Sequence, residues 1–536
     1  MSQFRDPNPT HHPFKLFVSH ATDHLTKFFK WAVLIALLAS LSLVLYSAFT
    51  SPNGWFPCPD YHAPTRNTTH LFNETRNVSI GPTNISHIVF GIGGSAKTWG
   101  HRRRYSELWW QPDVTRGYVW LDERPDPSTT SPGKSPPYRV SENWIRFKYS
   151  SSQPAVRIAR IVLESFRLGL PDVRWFVMGD DDTVFFTDNL VSVLSKYDHH
   201  SMYYVGGNSE SVEQNVMHSY EMAFGGGGFA ISYPLAAELV KVLDGCIDRY
   251  YKFYGSDQRV WACVKEIGVS LTKERGFHQI DVRGDAYGLL AAHPVTPLVS
   301  FHHLDSVNPL FPGRTQLESL QTLIQAYRVD PVQTLQQSFC HNRKRKWSIS
   351  VAWGYTAQIY PSLLAAKDLA TPMLTFKTWR SWSNGPFTFN TRPVESDLCQ
   401  QPIIYFLDKV EEVGQGQTLT TYKVNLGEPQ KKCGSSITAV QRIVVLASKM
   451  DPQELVEKGE ACIANIGFDG QGPRRRCCEI GESLKRNTMR GKQCLAASVC
   501  RHEIVNSIPD SAPTPGFVFK MYLEKSNSEG ESAAIH

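Results

Sequence analysis

Three aspartates in a row, Asp180-Asp181-Asp182, follow the apolar run Trp175-Phe176-Val177-Met178 with only Gly179 between them. Adjacent carboxylates repel, and at least one must hold a proton unless a cation neutralises them. A hard divalent ion does this, and it accepts carboxylate and phosphate oxygens together. Such an ion bridges a protein to a diphosphate and takes up charge on a departing group as a Lewis acid. In an extended chain Asp180 and Asp182 point to one side and Asp181 to the other. That gives two acidic groups for one ion and a third for a substrate hydroxyl. An acidic surface turn is the plain alternative. A further acid, Asp257, lies between Ser256 and Gln258, ahead of Arg259-Val260-Trp261-Ala262-Cys263-Val264. It reads as a helix N-cap, as a general base, or as both. Four consecutive glycines, Gly225 to Gly228, let backbone approach a ligand closely or form a surface loop.

These residues need a frame. Residues 87–92 form a short apolar run bounded by glycines, which reads as a buried strand. Gly91-Ile92-Gly93-Gly94 lacks the full glycine fingerprint of a dinucleotide fold. Val119-Trp120-Leu121 gives a second strand that ends on Asp122. Residues 155–168 have helical periodicity, with Val156, Ala159, Val162, Leu163 and Phe166 on one face and Arg157, Arg160 and Glu164 elsewhere. The strand at 175–178 then runs into the aspartates. Strand, helix, strand in this order predicts an α/β fold with a mostly parallel sheet, and ligands bind beyond the carboxyl ends of such strands. Past residue 340 the pattern changes. Residues 347–360, 402–407, 418–424 and 443–446 read as short strands of a β-rich module.

Topology sets the compartment. Residues 31–49 carry no charge and would span roughly 28 Å as a helix at ~1.5 Å per residue, enough to cross a bilayer. Lys27 and Lys30 precede the run, whereas residues 51–65 carry only Asp60, so the N-terminus is expected in the cytosol and the rest in a lumen. Asn67, Asn73, Asn77 and Asn84 each begin an N-glycosylation acceptor in a polar stretch just past the span. A lumenal setting permits disulfides among the eleven cysteines, eight of which lie beyond residue 339. No C-x2-C pair supports a zinc site. Cys58, close to the membrane, can link two chains, which leaves a homodimer open.

At 536 residues, with 41% hydrophobic and 20% charged, the chain is globular and suits two or three domains. Its net charge of +6 is modest, and the basic clusters at 102–104, 343–346 and 474–476 read as solvated faces. With a lumenal topology, no nucleic-acid partner is expected. Nothing pairs with the aspartate run as a separate general acid, which weakens a hydrolase reading.

The stretch Trp175-Phe176-Val177-Met178-Gly179-Asp180-Asp181-Asp182-Thr183-Val184-Phe185 resembles the aspartate-rich motif of the Fringe-like β-1,3-glycosyltransferases, above all their plant Fringe-related group. Other blocks agree in order. They are His101 and Arg104 followed by Trp110, the glycine loop running to Ser232, Ser256-Asp257-Gln258, and Ser300-Phe301-His302-His303-Leu304-Asp305. The resemblance covers about residues 87–305 and implies a GT-A fold, Mn2+ or another divalent cation, and a UDP-sugar donor. It implies Asp182 and His302 as metal ligands, with His303 the alternative and Asp305 a candidate to orient the imidazole. Asp180, Asp181, Arg104, Asp122, Gly225, Gly226 and Gly227 would contact the substrate, and Asp257 would be the base. Family members often carry two acids at that last point, whereas Gln258 follows here.

The expected organisation is a cytoplasmic tail (1–30), a transmembrane signal anchor (31–49), a glycosylated stem (50–86), a GT-A-like domain (87–335), a β-rich disulfide-containing domain (340–525) and a disordered tail (526–536). The expected function is transfer of a sugar to a glycan or glycoside acceptor, by a single-pass type II protein of the Golgi membrane. A non-catalytic lumenal glycan-binding or scaffold protein is the alternative.

Overall fold

The structure is a computed structural model and describes residues 21–50, 81–130, 133–149, 152–380, 391–414, 416–425, 436–450, 476–479 and 519–525. It divides into two units, residues 1–77 and 78–536. The first holds α1 (Ala21–Thr50), which contains the apolar run. Apolar side chains face outward on all sides of this helix: Trp31, Leu34, Leu38 and Leu43 are between 45% and 72% exposed. Among the described residues no helix is long and apolar enough to cross a membrane. The side chains of residues 44–50, which complete the run, are outside them, as are Cys58, Asn67, Asn73, Asn77 and the 526–536 tail. Asn84 is described and exposed.

The second unit is mixed α/β. In chain order its first strands are β1 (Ile88–Gly93), β2 (Arg116–Leu121), β3 (Tyr138–Val140), β4 (Trp175–Asp180), β5 (Val184–Phe185), β6 (Tyr204–Gly206), β7 (Phe229–Ser232) and β8 (Leu271–Lys273). All but β5 form one sheet in the order β3-β2-β1-β4-β7-β6-β8. β7 runs against β4 and β6, and the other pairings are parallel. β1 is buried along its length, as a strand covered on both faces must be. Alternation divides the side chains: Phe90, Ile92, Trp175 and Val177 face one core, and Val89, Phe176 and Met178 the other.

The helices that matter to the site are α2 (Ala96–Ser106), α3 (Gln153–Ala159), α4 (Ile161–Phe166), α5 (Thr187–Leu194), α6 (Val212–Met217), α7 (Tyr233–Arg249) and α8 (Ser256–Glu266). The single helix expected over 155–168 is broken at Arg160 into α3 and α4. Arg157, Arg160 and Glu164, expected off the apolar face, are all buried. Arg160 is held by Asp244 at 2.8 Å, Glu142 at 2.9 Å and Glu164 at 3.3 Å. Burial pushes the Glu164 carboxyl up to about 7 despite the adjacent guanidinium. A helical wheel shows polarity but not the partners that come from 18 and 84 residues away.

Three short strands, β9 (Phe277–His278), β10 (Val282–Gly284) and β11 (Ser300–Phe301), follow. β5, β11 and β9 make a small sheet. Beyond them come β12 (Gln337–Asn342), β13 (Trp347–Ala352), β14 (Thr356–Tyr360), β15 (Phe376–Thr378), β16 (Ile403–Glu412), β17 (Gln417–Val424), β18 (Val440–Ser448), β19 (Arg476–Glu479) and β20 (Phe519–Lys525). All but β15 form an eight-stranded sheet, and β15 pairs with β10 instead. The run at 347–360 is a hairpin of two strands rather than one. The basic cluster 343–346 is its neighbour, a largely exposed turn between β12 and β13. Ile349, Val351, Tyr405 and Tyr422 of this sheet belong to the same apolar cluster as Phe90 and Trp175.

Cys246 of α7 and Cys263 of α8 form a disulfide with Cα atoms 5.8 Å apart, and Cys340 and Cys399 each take part in a disulfide of their own. The first bridge closes a loop of 17 residues. Its removal by Cys246→Ser with Cys263→Ser is expected to destabilise the fold by about 3 kcal/mol. Calorimetry on the full chain measures this, and an unchanged unfolding midpoint would contradict it.

Candidate metal and substrate site

Sheet topology gathers the site. β1 and β4 are parallel with Gly93 opposite Asp180, so the chain after β1 and the aspartate run leave the sheet at the same edge. β7 is antiparallel to β4 with Phe229 opposite Met178, so the glycines before β7 arrive beside the aspartates. β11 is antiparallel to β5 with Phe301 opposite Val184, so His302 emerges next to Thr183 and Asp182. Thr183 locks this turn. It accepts from the Asp180 amide at 2.8 Å and donates to the Gly226 carbonyl at 2.7 Å, while the Trp109 indole donates to the Thr183 carbonyl at 3.0 Å.

His302 Nε2 lies 3.1 Å from Asp182 Oδ1 and 3.6 Å from Asp180 Oδ2. Asp182 and His302 are buried, and Asp180 is one-third exposed. The three side chains together can hold a metal ion. The approach to Asp182 is close enough for an ion pair, and among the described residues Asp182 Oδ1 and His302 Nδ1 are buried without hydrogen-bond partners. Two ligand atoms at ~2.1 Å from an octahedral ion and at right angles are ~3.0 Å apart, so the spacing suits one ion. An imidazole with two carboxylates is a donor set for a divalent metal.

Charge follows the same division. Burial first, helped by the neighbouring carboxylates and opposed by His302 at Asp180 and by Arg102 at Asp181, pushes the Asp180 and Asp181 carboxyls up to about 6. Burial would also raise Asp182, but His302 and Arg102 outweigh it and hold that carboxyl far below its usual range. Burial would lower His302, yet Asp182 and Asp180 raise it. Asp181 turns away toward α2, where Arg102 pairs with it at 2.9 Å and with Asp182 at 3.4 Å, and the Thr98 hydroxyl donates to it at 3.4 Å. Asp180 and Asp182 thus face His302 and Asp181 faces α2, although residues 181–182 form a turn rather than the extended chain expected.

The glycine loop touches both halves of the site. A Cβ on Gly226 would lie 2.0 Å from His302 Cε1, so only glycine fits there. Gly228 has φ +88°, which also favours glycine. The Gly227 amide donates to Gln279 Oε1 at 2.6 Å. The Gly225 amide donates to Asp257 Oδ2 at 3.2 Å. Asp257 is not the N-cap; Gly255 is, and Asp257 lies in the first turn of α8. Gln258 has a structural task there, since its Oε1 accepts from the Gly255 amide at 3.1 Å. Burial pushes the Asp257 carboxyl up, with the Gly225 and Gln258 amides opposing.

Other residues fall differently. Asp122 accepts from the Ala96 amide at 2.8 Å and the Ser95 hydroxyl at 3.0 Å, which caps α2. Arg104 is exposed, and it is Arg102 that pairs with the carboxylates. Asp305 does not orient His302; it accepts from the Tyr105 hydroxyl. His303 has its Nδ1 2.8 Å from Asp281 Oδ1 and takes no part in the metal-binding group. Sequence reasoning missed Arg102, although Thr98 and Arg102 are four apart on one helix and so share a face. Nothing local marks Thr183, Gln279 or Asp281.

Residues 214–463 match the model of a family described as "Protein of unknown function, DUF604", a span that holds the glycine loop, Asp257 and His302 but begins after the aspartate run. No curated protein matches the chain. Among solved structures it is similar to the "Crystal structure of a glycosyltransferase involved in the glycosylation of the major capsid of PBCV-1", at 11% identity and a TM-score of 0.24, over 44% of this chain and 97% of that one. At that score the likeness decides nothing.

Gly226→Ala is expected to displace His302 and weaken divalent-metal binding about 10- to 100-fold. Gly225→Ala, whose Cβ would meet Asp257 at an ordinary 3.4 Å, is expected to bind nearly as the wild type does. Metal titration by calorimetry compares the two, and equal affinities would count against this geometry. A pH dependence follows as well. Without metal, the folded protein keeps protons on Asp180 and Asp181 up to about pH 6, whereas the unfolded chain releases them near pH 4. Their stabilising effect is full below about pH 4 and lost as pH rises through about 6. A divalent ion replaces those protons. The rise in melting temperature on adding Mn2+ is therefore expected to be larger at about pH 7.5 than at about pH 5, and equal shifts would contradict it.

Proposed function

We propose that the chain is a metal-dependent inverting glycosyltransferase that moves a sugar from a UDP-sugar to an acceptor hydroxyl, with a β-1,3 linkage. One observation carries the reading: Asp180, Asp182 and His302 converge at the carboxyl end of a central parallel strand, beside a glycine loop that also contacts the half-buried carboxylate of Asp257. Asp182 and His302, with Asp180, would hold the ion. When bound, the ion supplies positive charge against the diphosphate of the leaving nucleotide. Arg102 adds a second cation at the same edge, where it can reach a phosphate oxygen. The glycine loop, packed against His302 and Asp257, lines the site beside the donor. Asp257, oriented by the Gly225 amide, accepts the proton from the acceptor hydroxyl as that oxygen attacks the anomeric carbon from the face opposite the diphosphate. Its raised carboxyl pKa makes it a better base than an exposed aspartate.

The same proposal places the protein in the Golgi membrane as a single-pass type II protein. The outward-facing apolar residues of α1, the flanking lysines, the sequons and the Cys246–Cys263 disulfide support it. A homodimer and the division at residues 335–340 belong to the proposal too.

The test uses the full chain in detergent with Mn2+, a panel of UDP-sugars and glycan or glycoside acceptors, and reads donor binding and UDP release. Asp182→Ala is expected to abolish Mn2+-dependent donor binding. Asp257→Asn is expected to keep binding and lose about 10²- to 10⁴-fold in turnover. Donor binding that ignores Mn2+, or that survives Asp182→Ala, would refute the site. Donor binding without turnover on any acceptor would favour a glycan-binding or scaffold protein.

A further inference from the structure

Metal-bound histidines almost always have their second ring nitrogen fixed by a carboxylate, carbonyl or water. His302 departs from that rule: its Nδ1 is buried and has no hydrogen-bond partner among the described residues. Something other than a hydrogen bond must fix the ring. On one side stands Gly226, so close that no Cβ would fit. His303 provides a second contact, its ring 3.8 Å from that of His302 at 32° between planes. His303 is in turn held twice. Asp281 Oδ1 lies 2.8 Å from its Nδ1, and the indole of Trp379 stacks on it at 4.5 Å and 15°. His303 has φ +55°, a conformation a non-glycine residue keeps only where its surroundings impose it.

Trp379 comes from outside the sheet that carries the aspartates. It directly follows β15, in the stretch between β14 and β16 of the eight-stranded sheet, and β15 reaches the site by pairing with β10. Arg283 of β10 fixes it there, donating from Nε to the Trp379 carbonyl at 2.6 Å with its guanidinium 5.4 Å from the indole centre. On the opposite flank Arg380 lies 3.7 Å from Glu213 of α6.

We infer that Trp379 is a positioning residue for the metal site: the C-terminal region orients the His302 imidazole through the three-ring stack Trp379–His303–His302. The inference rests on the metal reading given above. It assigns the extension a task at the site itself. A ring held by packing between Gly226 and His303 rotates when the outer ring of the stack is lost, and a rotated imidazole binds metal less well.

The experiment is an Mn2+ titration of the full chain followed by electron paramagnetic resonance, with thermal melts of the same samples. Trp379→Ala is expected to weaken Mn2+ binding about 10- to 100-fold. Trp379→Phe, which keeps a ring to stack, is expected to stay close to wild type. Trp379→Leu, which keeps apolar volume without a ring face, is expected to bind poorly and serves where the alanine variant fails to fold. Wild-type affinity in folded Trp379→Ala or Trp379→Leu, even with a lowered melting temperature, would overturn the inference and leave a merely structural role. A wild-type protein without Mn2+ affinity would overturn the metal reading itself.

Discussion

Three carboxylates crowded at the end of a buried strand must be neutralised, and the site is arranged around that need. Asp182 is ionised between His302 and Arg102, whereas Asp180 and Asp181 sit in surroundings that favour the proton near pH 6. Each neutralising group arrives on a different element: Arg102 on α2, His302 after β11. A divalent ion would complete the balance, since Asp182 Oδ1, which faces His302 Nε2, is buried with no hydrogen-bond partner among the described residues.

The frame keeps these charges at fixed distances. β4 is flanked by β1 and β7, so the strand that ends in the aspartates is hydrogen-bonded on both sides. Thr183 ties the aspartate turn to the glycine loop, and the glycine loop ties His302 to Asp257. The candidate metal ligands and the proposed base are thereby linked through one short stretch of backbone. Bulk at Gly226 would meet the imidazole directly, which makes the loop part of the site's geometry rather than a flexible cover.

Much of this was legible in the chain. The apolar runs became β1, β2 and β4, and those of the C-terminal region became β13, β14, β16, β17 and β18, because burial on a pleated strand demands apolar, β-branched and aromatic residues. The resemblance implied Asp182 and His302 as metal ligands, and the fold brings these two side chains together with Asp180. Long-range polar partners were not readable. Arg160 interrupts what periodicity marks as one helix, and its partners Glu142 and Asp244 lie 18 and 84 residues away. Asp305 has the right type and place to orient His302, yet the fold gives it to Tyr105.

The sequence by itself determined the alternation of strands and helices, the acidic run at a strand's end, the glycines beside it and the apolar segment near the N-terminus. Each is a local property, set by side-chain size, polarity and period. Tertiary structure alone decided which arginine of the 102–104 cluster meets the aspartates, that Gln258 serves as a helix cap beside a single carboxylate, and that Trp379 joins a stack ending on His302. The reason is physical: a charge or a ring has no partner until the chain closes, and partners 79 residues apart for Arg102 and Asp181 leave no mark on local sequence.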